Sequence, residues 1–196
     1  MGGHKFHGDI SRLDNPRRKE VFPVDAIVDA LEGIDEGAAV ADLGCGTGYL
    51  SIPLAKHLEG KGDVYAVDIS EEMLKVLGER AEGAANLKLM KSEENSIPLP
   101  NGLIDTSFML AVYHELDDPE KFLMEVRRFS KPVHKIVIVD WNQTEGEMGP
   151  PLNERVSEED IITFFRNRGY GVMKRFSPSP YVFGVVFRVS TCRAPV

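Results

Sequence analysis

An apolar run from Ala38 to Leu43, interrupted by Asp42, leads into Gly44-Cys45-Gly46-Thr47-Gly48, and Leu50, Leu54 and Leu58 follow at helical spacing. Strand, glycine turn and helix in this order form the opening unit of a nucleotide-binding α/β fold. The unit repeats. Val64-Tyr65-Ala66-Val67 ends at Asp68, and Ser70 is placed to cap a helix carrying Met73, Leu74 and Leu77. Leu87 to Met90 reads as a third strand and Ile104 to Ala111 as a fourth. Phe122 to Phe129 reads as a helix and Val133 to Val139 as a fifth strand. Strands alternating with helices throughout this stretch predict a parallel sheet with helices on both faces and a ligand beyond the carboxyl ends of its strands.

Beyond a connector from Trp141 to Val156, Ser157-Glu158-Glu159-Asp160 has the form of a capping box opening a helix through Ile161, Ile162, Phe164 and Phe165. Two last strands, around Tyr170 to Phe176 and Tyr181 to Val189, flank Ser177-Pro178-Ser179-Pro180. A parallel pair would need a crossover of a dozen or more residues, so these strands form an antiparallel hairpin. Before the first strand, Pro16 opens a helical pattern through Val24, Ile27, Val28 and Leu31 that stops at Gly33. Residues 1–196 thus read as one domain: a leading lid or helix over 1–33, a cofactor-binding core over 38–140, and a connector, helix and hairpin over 141–196. A chain of 196 residues can bury one sufficient core without staples.

A net charge of −8 repels phosphate backbones and anionic lipids, so neither nucleic acid nor membrane is expected as a partner. Arg17-Arg18-Lys19 reads as a solvated helix face beside Glu20. Cys45 and Cys192 are too few for a disulfide framework or a multi-cysteine metal site. With no signal-like stretch at the amino terminus, they fit the cytoplasm.

Spacing decides which nucleotide the turn can hold. A dinucleotide fingerprint opened at Gly44 needs Gly or Ala at position 49, which is Tyr; opened at Gly46 it needs one at 51, which is Ser. Asp42 just before the turn would repel a pyrophosphate but suits a ligand bearing a sulfonium and an ammonium. Asp68 stands about twenty residues beyond the turn, where a carboxylate can accept both ribose hydroxyl hydrogens.

Val40-Ala41-Asp42-Leu43-Gly44-Cys45-Gly46-Thr47-Gly48 and Val64-Tyr65-Ala66-Val67-Asp68-Ile69-Ser70 resemble the first two motifs of the class I S-adenosylmethionine-dependent methyltransferases. Ser92 to Gly102 with Asp105, and Ala111-Val112-Tyr113-His114-Glu115-Leu116, resemble the segments that follow. The resemblance covers most of Ala38 to Val139. It departs at Lys131-Pro132-Val133-His134, where many relatives have Lys-Pro-Gly-Gly.

It implies a Rossmann-like seven-stranded sheet, mostly parallel with a C-terminal antiparallel hairpin and helices on both faces. It also implies S-adenosylmethionine as cofactor and S-adenosylhomocysteine as product. Asp42 and Gly44, Cys45, Gly46, Thr47 and Gly48 would surround the methionine part, and Asp68 would hold the ribose. Glu93 would accept from the adenine amino group, Ile69 and Met73 would pack on the adenine, Glu94 would offer its backbone N–H, and Ala111 would border the cofactor. Cys45 is read as packing in a turn that needs a small residue.

Acceptor chemistry is open at this point. His114 follows the fourth strand and is either a general base, with Glu115 beside it, or a structural histidine. Tyr113, Trp141 at the head of the connector, and His7, near His4 and Phe6, are candidate substrate contacts. No metal is demanded by methyl transfer from a sulfonium. The chain lacks a Pro-Cys pair and the Asn/Asp-Pro-Pro-Tyr pattern, which disfavours cytosine carbon-5 and exocyclic amino methylation. A small-molecule acceptor is favoured, with a protein acceptor open. Two other readings stand beside a methyltransferase: a non-catalytic S-adenosylmethionine-binding protein and a nicotinamide-dependent oxidoreductase.

Overall fold

The computed structural model describes Leu13 and residues 15–29, 36–146 and 148–189. Seven strands form one sheet in the order β3-β2-β1-β4-β5-β7-β6. They are β1 (Ala38–Leu43), β2 (Gly62–Asp68), β3 (Leu87–Lys91), β4 (Ile104–Leu110), β5 (Ser130–Trp141), β6 (Tyr170–Ser179) and β7 (Val182–Val189). β1 pairs in parallel with β2 and β4, β2 with β3 and β4 with β5, while β7 runs antiparallel between β5 and β6. The mostly parallel sheet with its antiparallel hairpin is therefore as expected. Strand order reverses between β1 and β4, and that switch point opens a crevice at the carboxyl ends of the strands.

Every residue of β1 is buried, as the central strand of a sheet covered on both faces should be. On one face, Val40 and Val64 pack with Val21, Phe22, Leu50 and Leu54. Val21 and Phe22 end the leading helix α1 (Arg18–Val21), Leu50 and Leu54 belong to the start of α3 (Ser51–His57), and Ile27 and Val28 of α2 (Val24–Asp29) join the same cluster. Ala66, two residues on from Val64 and so on the same face, packs against Leu74 and Leu77 of α4 (Glu71–Arg80). The other face carries α5 (Pro119–Phe129) and α6 (Glu158–Arg166), whose Phe122, Val126, Ile162 and Phe165 meet Ala41, Ile136 and Phe187.

Three expectations need correction. The single leading helix is two, because Pro23 follows Phe22 and cannot supply the N–H that would continue the first; Leu31 and Gly33 lie outside the described residues. Helices do not alternate with strands throughout, since β3 passes to β4 through a helix-free segment whose Ile97 and Leu99 fill the core themselves. The hairpin is tighter than drawn: β6 continues to Ser179 through a register shift around Pro178, a residue an edge strand tolerates. Ser70 and Ser157 cap their helices as expected, accepting from the amides of Met73 and Asp160.

Candidate active site

The glycine turn is tied to the end of β2. Gly44 and Cys45 donate their amides to the Val67 carbonyl at 2.8 and 3.0 Å. The Asp68 carboxylate links the turn to α4, accepting from Gly46 N at 2.7 Å through Oδ2 and from Ser70 N at 2.8 Å through Oδ1. Each oxygen retains further acceptor capacity. Burial raises the Asp68 pKa, against the pull of the Ser70, Gly46 and Ile69 amides and Lys91.

Asp42, 1% exposed, accepts from Ser51 Oγ at 2.5 Å. Burial pushes its pKa up to about 6; the Ser51 bond opposes this, Asp68 adds to it and Arg18 opposes it. Burial, helped by the same two carboxylates, also drives the Cys45 thiol upward, and Cys45 packs with Ala66, Leu74 and Leu77. Gly44 has φ +72°, and a Cβ there would stand 2.5 Å from Val112 Cγ2. Glycine is what lets the turn after β1 meet the loop after β4.

Ile69 lies next to Asp68 and is 44% exposed, while Met73 of α4 is half-buried and Thr47 buried. Glu93 and Glu94 are exposed on the segment after β3, with Glu93 bridged to Ser96. Two charges on α5 hold that segment: Glu125 accepts from Ile97 N at 2.8 Å, and Arg128 donates to the carbonyls of Ile97 and Leu99. Ala111 closes β4 in a left-handed conformation, φ +56°, with its amide on the Val139 carbonyl.

The other half of the crevice is built around His114. Its ring Nδ1 donates to Asp140 Oδ1 at 2.7 Å and its amide approaches Asp140 Oδ2 at 3.2 Å. Asp140, near the end of β5 and 1% exposed, also accepts from Trp141 N. With Nδ1 committed as donor, Nε2 is the ring's acceptor, and Glu115 Oε1 lies 3.8 Å from it. Burial lowers the His114 pKa, but Asp140, Glu115 and Glu154 together outweigh it, and the net shift is upward.

Tyr113 is buried against Phe164 and Phe165, and burial raises its phenol pKa. Trp141 is packed edge-on to Phe22, with Arg155 5.5 Å from its ring. His7, His4 and Phe6 lie outside the described residues. Asp140 and Arg155 carry no local sequence signal, and Arg18 stands in the basic run expected to be a solvated face. Arg155, 9% exposed, donates to the carbonyls of Asn142, Thr144, Met148 and Pro150 and so gathers the connector.

These groups suit an adenosyl sulfonium. Asp68 offers acceptors for ribose, Ile69 an exposed apolar surface, Glu93 a solvated carboxylate, and the buried Asp42 a negative field beside the turn. A family model described as a methyltransferase domain matches residues 40–133. A crystal structure of a SAM-dependent methyltransferase from Aquifex aeolicus is 37% identical, covering 92% of this chain and 96% of its own, with a TM-score of 0.85. The chain belongs to the S-adenosylmethionine-dependent methyltransferase family.

Within the family, a demethylmenaquinone methyltransferase from Geobacillus kaustophilus is 32% identical over 113 residues, 56% of this chain and 48% of that protein. A 2-phytyl-1,4-naphtoquinone methyltransferase from Trichormus variabilis is 27% identical over 118 residues, 59% of this chain and 52% of that protein. The chain spans about half the length of these curated relatives. Among the described residues, no helix is long and apolar enough to cross a membrane.

Proposed function

We propose that this chain binds S-adenosylmethionine across the carboxyl ends of β1 to β4 and transfers its methyl group to a small-molecule acceptor lying against the ends of β4 and β5. The observation that carries the reading is the Asp68 carboxylate, pinned by the Gly46 and Ser70 amides at the switch point. When bound, the cofactor supplies a methyl already activated by its sulfonium. Asp42 and the glycine turn hold the amino-acid end, Asp68 the ribose, and Ile69, Met73, Glu93 and the Glu94 amide the adenine. Thr47 and Cys45 fill the turn behind them, and Ala111 borders the site from β4.

His114 is the chain's proton acceptor, its Nε2 taking a proton from the acceptor atom as the methyl arrives while Asp140 steadies the resulting imidazolium. Methyl transfer otherwise needs alignment and exclusion of water, which the connector gathered by Arg155 provides. The names of the quinone-biosynthesis relatives support a small aromatic acceptor of the hydroquinone type. Residues 1–196 act as one unit, with 38–140 carrying the cofactor.

The test is release of S-adenosylhomocysteine over a panel of hydroquinones, phenols and amines. The expected result is turnover with a hydroquinone, lost at least about a hundred-fold in His114→Ala, with S-adenosylhomocysteine affinity unchanged. Retained turnover in that variant removes His114 as base.

A further inference from the structure

The last turn of α5 carries the segment between β3 and β4. Arg128 directs all five of its N–H donors at defined acceptors. Nε and Nη2 meet the two Glu125 oxygens at 2.8 and 2.7 Å, and Nη2 also meets the Ile97 carbonyl at 2.7 Å. Nη1 meets the Leu99 carbonyl at 2.8 Å and Asn101 Oδ1 at 2.7 Å. Glu125 in turn accepts from Ile97 N at 2.8 Å, so one ion pair holds both the amide and the carbonyl of Ile97. The carbonyls of Arg128 and Phe129, which have no partner within the helix, accept from the amides of Gly102 and Leu103.

Ile97 is where this hold reaches the cofactor side. Directly before it, Glu93 and Ser96 pair amide to carbonyl at 3.0 and 3.4 Å and close a tight turn. The amide of Ser92 donates to the Asp68 carbonyl at 3.0 Å. The turn is thus tied at one end to the strand that carries Asp68 and at the other to α5. Glu93 itself is 85% exposed, with Lys91 Nζ 3.9 Å from its carboxylate. A carboxylate so exposed discriminates between ligands only if its backbone is already in place, because ordering a loose turn at the moment of binding would cost conformational entropy. The planar fork of Arg128, spread over four residues, supplies that order in a way a point charge cannot.

We propose that Arg128, acting with Glu125, is a positioning residue for the adenine end of the cofactor: it fixes the 93–96 turn so that Glu93 selects the adenine amino group. This rests on the reading of Glu93 as the acceptor for that group. It gives α5 a hand in both halves of the site, since the same helix follows the loop that carries His114.

The proposal is tested by calorimetry with S-adenosylhomocysteine and S-inosylhomocysteine, whose bases carry an amino and an oxo group at the same position. The proteins compared are the parent chain, Glu93→Ala, Arg128→Gln, Arg128→Lys and the double variant of Glu93→Ala with Arg128→Gln. Preference is a ratio of two affinities on one protein, so a variant that folds only in part still reports it. The parent is expected to prefer the amino-bearing base by about ten-fold, the worth of one hydrogen bond to a charged group. Glu93→Ala should lose that preference, Arg128→Gln should lose most of it and Arg128→Lys should keep only part. If Arg128 acts through Glu93, the double variant loses no more than Glu93→Ala alone. Undiminished preference in both Arg128 variants, or a double variant in which the two losses add, overturns the positioning role and leaves cofactor binding intact. A parent that binds S-adenosylhomocysteine without preferring the amino group overturns it through Glu93, and a parent that binds neither ligand overturns the S-adenosylmethionine reading as well.

Discussion

Asp140, a residue 26 positions away in the chain and 2.7 Å away in space, raises the His114 pKa against burial, which lowers it. Burial disfavours the imidazolium while Asp140, with Glu115 and Glu154, favours it, so removing the Asp140 charge while keeping its shape should lower the midpoint. In Asp140→Asn the His114 imidazole, followed by NMR, is expected to titrate lower than in the parent, and the acid limb of the pH–rate profile should move down with it. An unmoved midpoint would deny Asp140 its positioning role.

Asp42 makes an opposite demand. Its raised pKa, about 6, means that the ionised form is disfavoured by the fold yet is the form a cationic ligand needs. S-adenosylmethionine affinity should therefore fall as pH drops through about 6. In Asp42→Asn the affinity should be weaker and flat over the same range, and the ligand-free protein should melt higher. A parent affinity independent of pH between about 7.5 and about 5 would contradict this.

Residues were legible where the covalent chain fixes their spacing: Asp42, the glycine turn and Asp68 are separated by a strand, a helix and a strand of predictable length. Asp140 and Arg18 were not legible. Nothing in Val139-Asp140-Trp141 announces a partner on another loop, and Arg18 looks like either of its neighbours until Tyr49 is placed beneath it.

At the scale of elements, periodicity located the strands well, because each is a nearly continuous buried run. It fails where a segment gains burial without periodicity: residues 92–103 form neither a helix nor a named strand, with Ile97 and Leu99 seated in the core and their backbone held by Arg128 and Glu125. The connector is similar. Its order comes from one arginine and from Gly149, whose φ is +91° and whose absent Cβ would meet the Trp141 ring at 2.8 Å. Gly149→Ala is expected to cost about 1–3 kcal/mol of stability by displacing Trp141 from Phe22 and Arg155, a change readable in tryptophan fluorescence and denaturant midpoint. Wild-type fluorescence with an unchanged midpoint would show that the connector tolerates the strain.

Across the whole molecule, a sheet whose strand order reverses between β1 and β4 leaves one place where loops from four strands converge, and both halves of the proposed site lie there. The turn after β1 touches the loop after β4 through Gly44 and Val112, so the proposed cofactor and acceptor sites would share a wall. The parallel core was readable from alternation and the hairpin from a connection too short for a crossover. The position of β7 between β5 and β6 follows from pairing that no local pattern specifies.

The central claim is that the switch point holds S-adenosylmethionine through Asp68. Calorimetry of the parent chain and Asp68→Ala with S-adenosylhomocysteine tests it most directly. The account predicts one-site binding by the parent and a loss of at least about ten-fold in the variant, as expected for removing a carboxylate that accepts from two hydroxyls. Undiminished binding by Asp68→Ala, or no binding by the parent, would contradict it.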